Sequence, residues 1–369
     1  MYARKEIGTV IGGRYEIKEV ITHRDREVSV YVATDIETQE EVALKLNTAF
    51  DRVRRETKFY DYSIRDLEGF PSKRWCKIWS WEREYHGYGA IALDRLGPSL
   101  DTLINEVEES KFSLKTTLQI MNQVITRIQA LHERHIVHRG IRPDNFCIGL
   151  RGSKTENKVY LIDFDLSKKY IMDGVHIQDY GDNVGNQDWT SLAIAEGYEP
   201  VRRDDMESAG FLAIYLLKGK LPWLCEYRSS SVMRGKAITA LQELCKDLPE
   251  EIITYIIYCR SLQFAQEPDY GYCRELFRQV FEREGYKDDG LCDWSTPQLV
   301  AESESMEIAH GSDDDLASRN HSEEDGSATP FDGDTVDGQT LVTETTEACS
   351  AEYLNLRTRQ VLRLMKRIP

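Results

Sequence analysis

A chain of 369 residues with 41% hydrophobic and 30% charged residues has the composition of a globular protein. Its longest strongly apolar run, FLAIYLL at 211–217, is too short for a membrane span, which takes about 20 residues. The formal net charge is −16 and no basic stripe is present, which argues against a nucleic-acid partner. We therefore expect neither a membrane nor a nucleic acid as a binding partner.

The N-terminus and the cysteines bear on the cellular compartment. Residues 1–13, MYARKEIGTVIGG, form a predicted N-terminal extension that lacks the apolar core of a signal peptide. The eight cysteines are scattered and form no CxxC pair, which argues against a zinc site or a disulfide framework. Free thiols persist in reducing compartments. We therefore expect an intracellular protein, located in the cytoplasm, the nucleus or both.

The first 95 residues are predicted to form a small antiparallel sheet with one helix. Five segments alternate apolar and polar residues, or run apolar with β-branched side chains, which is typical of strands. A charged stretch at 51–63 has helical character and interrupts them. The predicted strands cover residues 14–23, 28–35, 40–47, 75–81 and 88–96.

Helices dominate after Gly97–Pro98. Apolar residues recur at helical spacing in a long segment at 114–135 and in several later ones. VYLIDFDL at 159–166 is predicted to be a short buried strand. The fold class is therefore α+β, with a small β lobe at 14–96, a larger helical lobe at 97–294 and a cleft between them. The later helices are predicted at residues 203–219, 230–247, 250–262 and 270–284.

The composition changes after Trp294. Residues 295–350 are rich in Ser, Asp, Glu and Gly, and 301–350 alone carry 14 acidic residues and one Arg. Such a segment cannot bury enough apolar surface to offset the entropy of ordering, so we predict a disordered acidic tail. Residues 351–369 carry five basic residues and one Glu, with apolar side chains on one helical face. That segment is either a docking helix or an unstructured end with chance periodicity.

Several motifs occur in a fixed order along residues 10–294. The order begins with VALK at 42–45 and continues through HRGIRPDN at 138–145 and DFD at 163–165. Together they resemble the casein kinase 1 family of protein kinases. This resemblance implies a bilobal protein kinase fold and a family whose members use MgATP to phosphorylate Ser or Thr. Further matching motifs are LGPSL, FSLKT, KVYLIDFDLSKKY, RRDDMES, LPW, LCKDLP, CRSLQF and PDYGYCRELFR.

The resemblance assigns the phosphate and metal contacts to single residues. Lys45 matches the lysine that contacts the α- and β-phosphates, and Glu56 matches its partner on the helix of the small lobe. Asn145 and Asp163 match the two metal ligands, and amide and carboxylate oxygens suit Mg²⁺. Asp205 matches an aspartate that braces the backbone of the catalytic loop. These residues imply that the frame of a kinase site is kept.

The adenine contacts follow from the same resemblance. Val30 and Ala43 match apolar residues that line the adenine pocket, although an ordinary strand core would also place apolar residues there. Asp94 and Leu96 match the segment between the lobes, whose backbone groups would bond to adenine. Because only backbone atoms take part, we expect the identity of these two side chains to matter little. The implied cofactor is MgATP if a nucleotide binds, and none otherwise.

The catalytic motifs depart from the family at three positions. Gly140 stands where the family has the aspartate that accepts and orients the substrate hydroxyl, and a missing base is worth about 10²–10⁴-fold in rate. Arg142 stands where the family has a lysine, and a planar guanidinium does not replace a compact ammonium. Asp165 replaces the last glycine of DFG. Its charge either repels phosphate or attracts an additional cation.

The phosphate-covering loop and the substrate site also depart from the family. Residues 21–31, ITHRDREVSVY, contain no glycine, and Val28 takes the place of the last glycine. β-Branched side chains disfavour positive φ, so we expect the backbone to be kept away from the phosphates. Arg24 and Arg26 either bind phosphate directly or decorate an exposed turn. Asp188 replaces a basic residue that helps to bind acidic substrates, so recognition of such substrates should be weak.

Losses in four separate parts of the site are harder to compensate than a loss in one part. We therefore predict a casein kinase 1-like pseudokinase that transfers phosphate poorly and acts as an interaction module. Its partners would be proteins, such as active kinases or their substrates. Two other hypotheses stay open: a slow or unconventional Ser/Thr kinase, and a switch that binds ATP without transferring phosphate.

Overall fold

The computed structural model describes residues 4–24, 27–79, 88–178, 185–224, 239 and 241–295. The predicted acidic tail and the basic C-terminal segment lie outside the described residues, apart from Ser295. Most of the predicted helix 230–247 also lies outside them. Within the described residues, the predicted combination of an antiparallel sheet with a helical region is confirmed.

A six-stranded antiparallel sheet forms the small lobe, in the order β1-β2-β3-β4-β6-β5. The five predicted strands are present, and β1 is an addition from the predicted N-terminal extension, since it pairs with the start of β2. The strands are β1 (Val10–Ile11), β2 (Tyr15–Arg24), β3 (Val28–Asp35), β4 (Glu41–Asn47), β5 (Lys73–Trp79) and β6 (Tyr88–Asp94).

Alternation along β3 and β4 sends their side chains to two faces of the sheet. Val30 pairs across the strands with Lys45, and Val32 pairs with Ala43, so these four side chains share one face. The other face buries the hydrophobic core of the small lobe. Its members are Ile11, Tyr15, Ile17, Tyr31, Ala33, Val42, Leu44, Leu46, Ala90 and Ala92, with Trp75 packed against them.

Helix α1 (Phe50–Tyr62) lies beside β5 and β6. Its Val53 packs onto Gly89 of β6, where a Cβ would lie 2.7 Å from Val53 Cγ1. A glycine is therefore needed at this close approach of helix and sheet. The packing buries Glu56 completely, although the residue carries a carboxylate.

Long helices form the larger lobe, with α3 packed against α5 and α8. The helices are α2 (Leu100–Glu106), α3 (Leu114–Glu133), α4 (Leu192–Ala195), α5 (Arg202–Lys218), α6 (Leu241–Leu244), α7 (Glu250–Ser261) and α8 (Tyr270–Arg283). The predictions for α3, α5, α7 and α8 agree with these bounds within two residues. None of the helices in the described part of the chain is long and apolar enough to cross a membrane.

Short antiparallel pairs fill the region between α3 and α4. The strand predicted at 159–166 is wrong in length, since only its second and third residues are extended as a strand. Asp163 has φ of 71°, in the left-handed region, and ends the extended run. The pairs are β7 (Ile136–Val137) with β10 (Lys168–Lys169), β8 (Phe146–Cys147) with β9 (Tyr160–Leu161), and β11 (Ile171–Met172) with β12 (Val175–His176).

The segment before Ser295 is fastened to the start of helix α3. Asp293 accepts hydrogen bonds from the Ser113 backbone N–H and hydroxyl, both at 2.6 Å, and from Thr116 Oγ1 at 2.8 Å. Trp294 packs edge-on against Phe112, with ring centroids 5.2 Å apart. Helix α3 is therefore capped partly by a residue that lies 180 positions later in the sequence.

We expect Asp293→Ala to lower the free energy of unfolding by about 2–3 kcal/mol, because three hydrogen bonds to one carboxylate at a helix N-terminus are lost. Urea unfolding of the full chain measures this value. Asp288→Ala removes the same charge from an exposed position of the same segment and serves as the control. Equal losses in the two variants would contradict a capping role for Asp293.

Candidate functional site

The catalytic loop is held by hydrogen bonds to the buried carboxylate of Asp205, which lies in the first turn of α5. Its oxygens accept the backbone N–H groups of His138 at 2.7 Å and of Arg139 at 2.9 Å. His132 Nε2 lies 3.1 Å from the same carboxylate. Burial alone would raise the pKa of Asp205, but the hydrogen bonds from His132 and from the His138 backbone N–H help to lower it below its usual value. The ionised carboxylate thus fixes the backbone that leads into Gly140, as predicted for the loop frame.

His138 joins the catalytic loop to the DFD motif. Because a carbonyl oxygen can only accept, His138 Nε2 donates to the Ile162 carbonyl at 3.1 Å. Burial lowers the pKa of His138, so the ring is neutral at pH 7. Its face meets Phe164 edge-on, with centroids 5.1 Å apart, and Phe164 is fully buried between this ring and Tyr60 of α1. The packing holds Asp163 at the edge of the cleft.

Lys45, Glu56 and Asp163 form a cluster where the two lobes meet. Lys45 Nζ donates to Glu56 at 2.8 and 3.0 Å and to Asp163 Oδ1 at 2.6 Å. Burial lowers the pKa of Lys45, but the charges of Asp163 and Glu56 outweigh that effect and raise it above its usual value. Burial raises the pKa of Glu56 above its usual value, although the Lys45 ammonium partly counteracts this effect. The structure therefore brings together three predicted residues that are up to 118 positions apart.

The predicted adenine contacts lie along the face that carries Lys45. Ala43 and Val30 are half-buried there. The Asp94 N–H already donates to the Ser72 carbonyl at 3.0 Å, so its own carbonyl is the group left for adenine.

The side chain of Asp94 has a structural role that the sequence did not reveal. Its carboxylate accepts from Ser72 N at 2.8 Å and from Arg74 Nε at 2.5 Å, and thereby fixes the connection between the lobes. Leu96 follows two residues later and is half-buried. Next to it, the Gly97 N–H donates to the Ile148 carbonyl at 2.9 Å.

Gly140 sits at the predicted position of the base, in a loop that does not require glycine. Its φ lies outside the left-handed region, and a Cβ added there would lie 3.2 Å from Asn145 Nδ2 and 3.4 Å from His138 Nδ1. A side chain therefore fits if the Asn145 amide shifts by a few tenths of an ångström. Asn145 Nδ2 donates to the Gly140 carbonyl at 2.8 Å, which closes the loop.

The other two departures of the catalytic motifs are engaged in ion pairs. Arg142 Nη2 lies 2.9 Å from Asp144 Oδ2, so its guanidinium is held within the loop. Asp165 Oδ2 lies 3.8 Å from Arg52 Nη1 on helix α1. Both predicted effects of Asp165, the repulsion of phosphate and the attraction of an additional cation, stay open beside this contact.

A comparison with family models agrees with this geometry. The model described as protein kinase domain matches residues 27–267, about two thirds of the chain. The chain belongs to the protein kinase domain family. The match spans every predicted site residue, from Val30 to Asp205, and confirms the predicted kinase fold.

The residues of the kinase domain fit a nucleotide-bound Mg²⁺. Since Asn145 donates its amide nitrogen to the Gly140 carbonyl, its amide oxygen is not used in that bond and would join Asp163 as a hard oxygen ligand. Among the described residues, no group of three His, Cys, Asp or Glu side chains is arranged to hold a metal ion. A Mg²⁺ ion would therefore rely on the phosphates of the nucleotide as well as on Asn145 and Asp163.

At the predicted phosphate cover, strands β2 and β3 are paired as far as Arg24 and Val28. Val28 also pairs with Asn47 of β4, which ties it into the sheet. Arg26 and the Arg24 side chain lie outside the described part of the structure, so their predicted alternatives stay open.

The substrate side of the kinase domain places Asn186 beside Gly140, a neighbour that the sequence did not indicate. The two residues line a small cavity with Arg142 and Trp189. Asn186 Oδ1 accepts the Asp188 N–H at 2.9 Å, and the Asp188 carbonyl accepts from Trp223 Nε1 at 2.8 Å. The backbone of Asp188 is therefore firmly held next to the cavity.

Buried histidines couple the stability of the kinase domain to pH. His132 bonds Tyr270 through Nδ1 at 2.7 Å and Asp205 through Nε2 at 3.1 Å, and burial lowers its pKa. In the unfolded chain, where a His pKa is about 6.5, His132 binds a proton below that pH. In the folded chain the buried ring stays neutral to a lower pH. The contribution of His132 is thus complete above about pH 6.5 and is lost as the pH falls through that value.

We expect the stability difference between wild type and His132→Gln to shrink by about 1 kcal/mol from pH 7.5 to 5.5. Glu56 and Asp204 have raised pKa values and titrate in the opposite sense, but they contribute equally to both proteins and cancel in the difference. Urea unfolding at the two pH values measures it. A difference that is independent of pH would show that folding does not lower the pKa of His132.

Proposed function

We propose that this kinase domain is a casein kinase 1-like pseudokinase, which transfers phosphate poorly and acts as an interaction or regulatory module. The observation that carries the proposal is Gly140 within an otherwise supported catalytic loop. The loop is anchored by Asp205 on one side and closed by Asn145 on the other. The missing base therefore does not result from a collapsed loop, and its absence costs about 10²–10⁴-fold in rate.

The neighbouring carboxylates are poor substitutes for the missing base. Asp144 is paired with Arg142 at 2.9 Å, and Asp163 with Lys45 at 2.6 Å. Asp165 faces the Arg52 guanidinium. A carboxylate that is paired with a cation is less free to turn toward a substrate hydroxyl. These pairs support a site in which none of these three carboxylates takes over the role of the base.

A second, independent feature that supports the proposal is the predicted phosphate cover. Residues 21–31 contain no glycine, and Val28 is tied into strand pairing. A β-branched residue at the position of the family's last glycine disfavours the backbone conformations that bring N–H groups close to phosphate. We therefore expect ATP to bind weakly at best, and the partners of the module to be proteins such as active kinases or their substrates.

The main competing function is a slow Ser/Thr kinase. It is favoured by the assembled cluster of Lys45, Glu56 and Asp163, which is the arrangement that holds the nucleotide phosphates in active kinases. The two functions differ in what limits phosphate transfer. A slow kinase lacks only the base, whereas a pseudokinase has lost the phosphate cover as well.

We expect phosphate transfer from MgATP by wild type to stay at the background of the assay, and transfer by Gly140→Asp to stay below about ten times that background. Radioactive transfer to a Ser/Thr peptide library and to the chain itself measures this activity. Gly140→Ala is the matched control, since it adds the same Cβ contacts without a carboxylate. A rise of several orders of magnitude in Gly140→Asp alone would support the slow kinase. Wild-type transfer that Asp163→Ala abolishes would overturn the pseudokinase.

We expect 1 mM ATP to raise the melting temperature by no more than about 2 °C, because binding near a millimolar dissociation constant adds only about 0.4 kcal/mol. Lys45→Met should abolish the shift. Differential scanning fluorimetry with and without ATP measures the melting temperatures of wild type and of this variant. A shift above about 5 °C would instead favour the nucleotide switch.

A further inference from the structure

Asp165 places a second carboxylate beside Asp163. Its side chain is only 14% exposed. The neighbouring Lys45 ammonium bonds both Glu56 and Asp163. Carboxylates that share one ammonium repel one another, and the repulsion is strong where little water screens it. A further positive charge on a neighbouring element reduces this repulsion and can fix that element in place.

Arg52 supplies that charge from helix α1. Its Nη1 lies 3.8 Å from Asp165 Oδ2, and its own side chain is 42% exposed. Arg52 lies four residues before Glu56, so the two side chains share one face of the helix. Helix α1 therefore reaches the DFD motif at two successive turns, through Arg52 to Asp165 and through Glu56 and Lys45 to Asp163.

The first turn of α1 has a reason to depend on this contact. The residue that precedes the helix, Ala49, provides no side-chain cap. The contact between Arg52 and Asp165 joins a residue of this first turn to the DFD motif.

We propose that Arg52 and Asp165 are a positioning pair that holds the first turn of α1 against the DFD motif and so keeps Glu56 at Lys45. Asp165 replaces a flexible glycine at this position of the motif and gives the chain an anchor for the helix. The inference concerns how the site is held together, and it stands whether or not the chain transfers phosphate.

Hydrogen–deuterium exchange of residues 50–62, measured on the full chain without nucleotide, tests the pair. We expect Arg52→Gln and Asp165→Asn each to speed exchange in the first turn of α1 by about two- to fivefold, the range for partly exposed ion pairs. The double variant should exchange no faster than the faster single variant, because both changes break the same contact. Arg52→Lys keeps the charge and should restore at least half of the lost protection.

Arg54→Gln is the matched control, since it removes one positive charge from an exposed position of the same helix. Equal acceleration by Arg54→Gln would overturn the proposal, because it would show a general effect of charge. Additive effects in the double variant would overturn it as well, because Arg52 would then act on something other than Asp165. Circular dichroism confirms that each variant is folded. Phosphate transfer plays no part in the readout, so the pseudokinase proposal fails or holds separately.

Discussion

One buried carboxylate, that of Asp205, organises the catalytic side of this kinase domain. It accepts two consecutive backbone N–H groups, which would otherwise be buried without partners at a cost of about 1–3 kcal/mol each. Its position in the first turn of α5 transfers the rigidity of that helix to the loop. His138, the DFD motif and Asn145 are all placed by that loop, so the geometry of the site rests on this contact.

The assembled cluster and Gly140 concern different parts of the site. Lys45 reaches Glu56 and Asp163, and Phe164 is buried against Tyr60 and His138. Gly140 provides no side chain, although the loop that carries it is held by Asp205 and Asn145. Under the proposed function, such a rigid frame presents a fixed surface to protein partners.

The sequence predicts most of the fold, because the strands and long helices carry their own periodicity. Short elements such as β1 and α2 escape prediction, since two to seven residues hold too little pattern. The strand predicted at 159–166 is wrong because the left-handed backbone of Asp163 cannot be seen in an apolar run. Periodicity reports which side chains are buried, and it does not predict backbone conformations that tertiary contacts impose.

The site itself is predictable only as far as the resemblance reaches. Motif order identifies Lys45, Glu56 and Asp163, and the structure brings them together. The contacts of Asp94 with Arg74 and of Asp165 with Arg52 join side chains that no family pattern pairs. Such contacts depend on the precise approach of two elements, which a single sequence does not specify.

The bond between Asp293 and the start of α3 has a consequence for biosynthesis. A ribosome that adds about 5–20 residues per second needs about 10–40 s to reach Asp293 after making Ser113. During that interval Ser113 caps the central helix of the larger lobe through the Thr116 N–H, without the support of Asp293. The nascent kinase domain therefore gains this support only after residue 293 has left the ribosome.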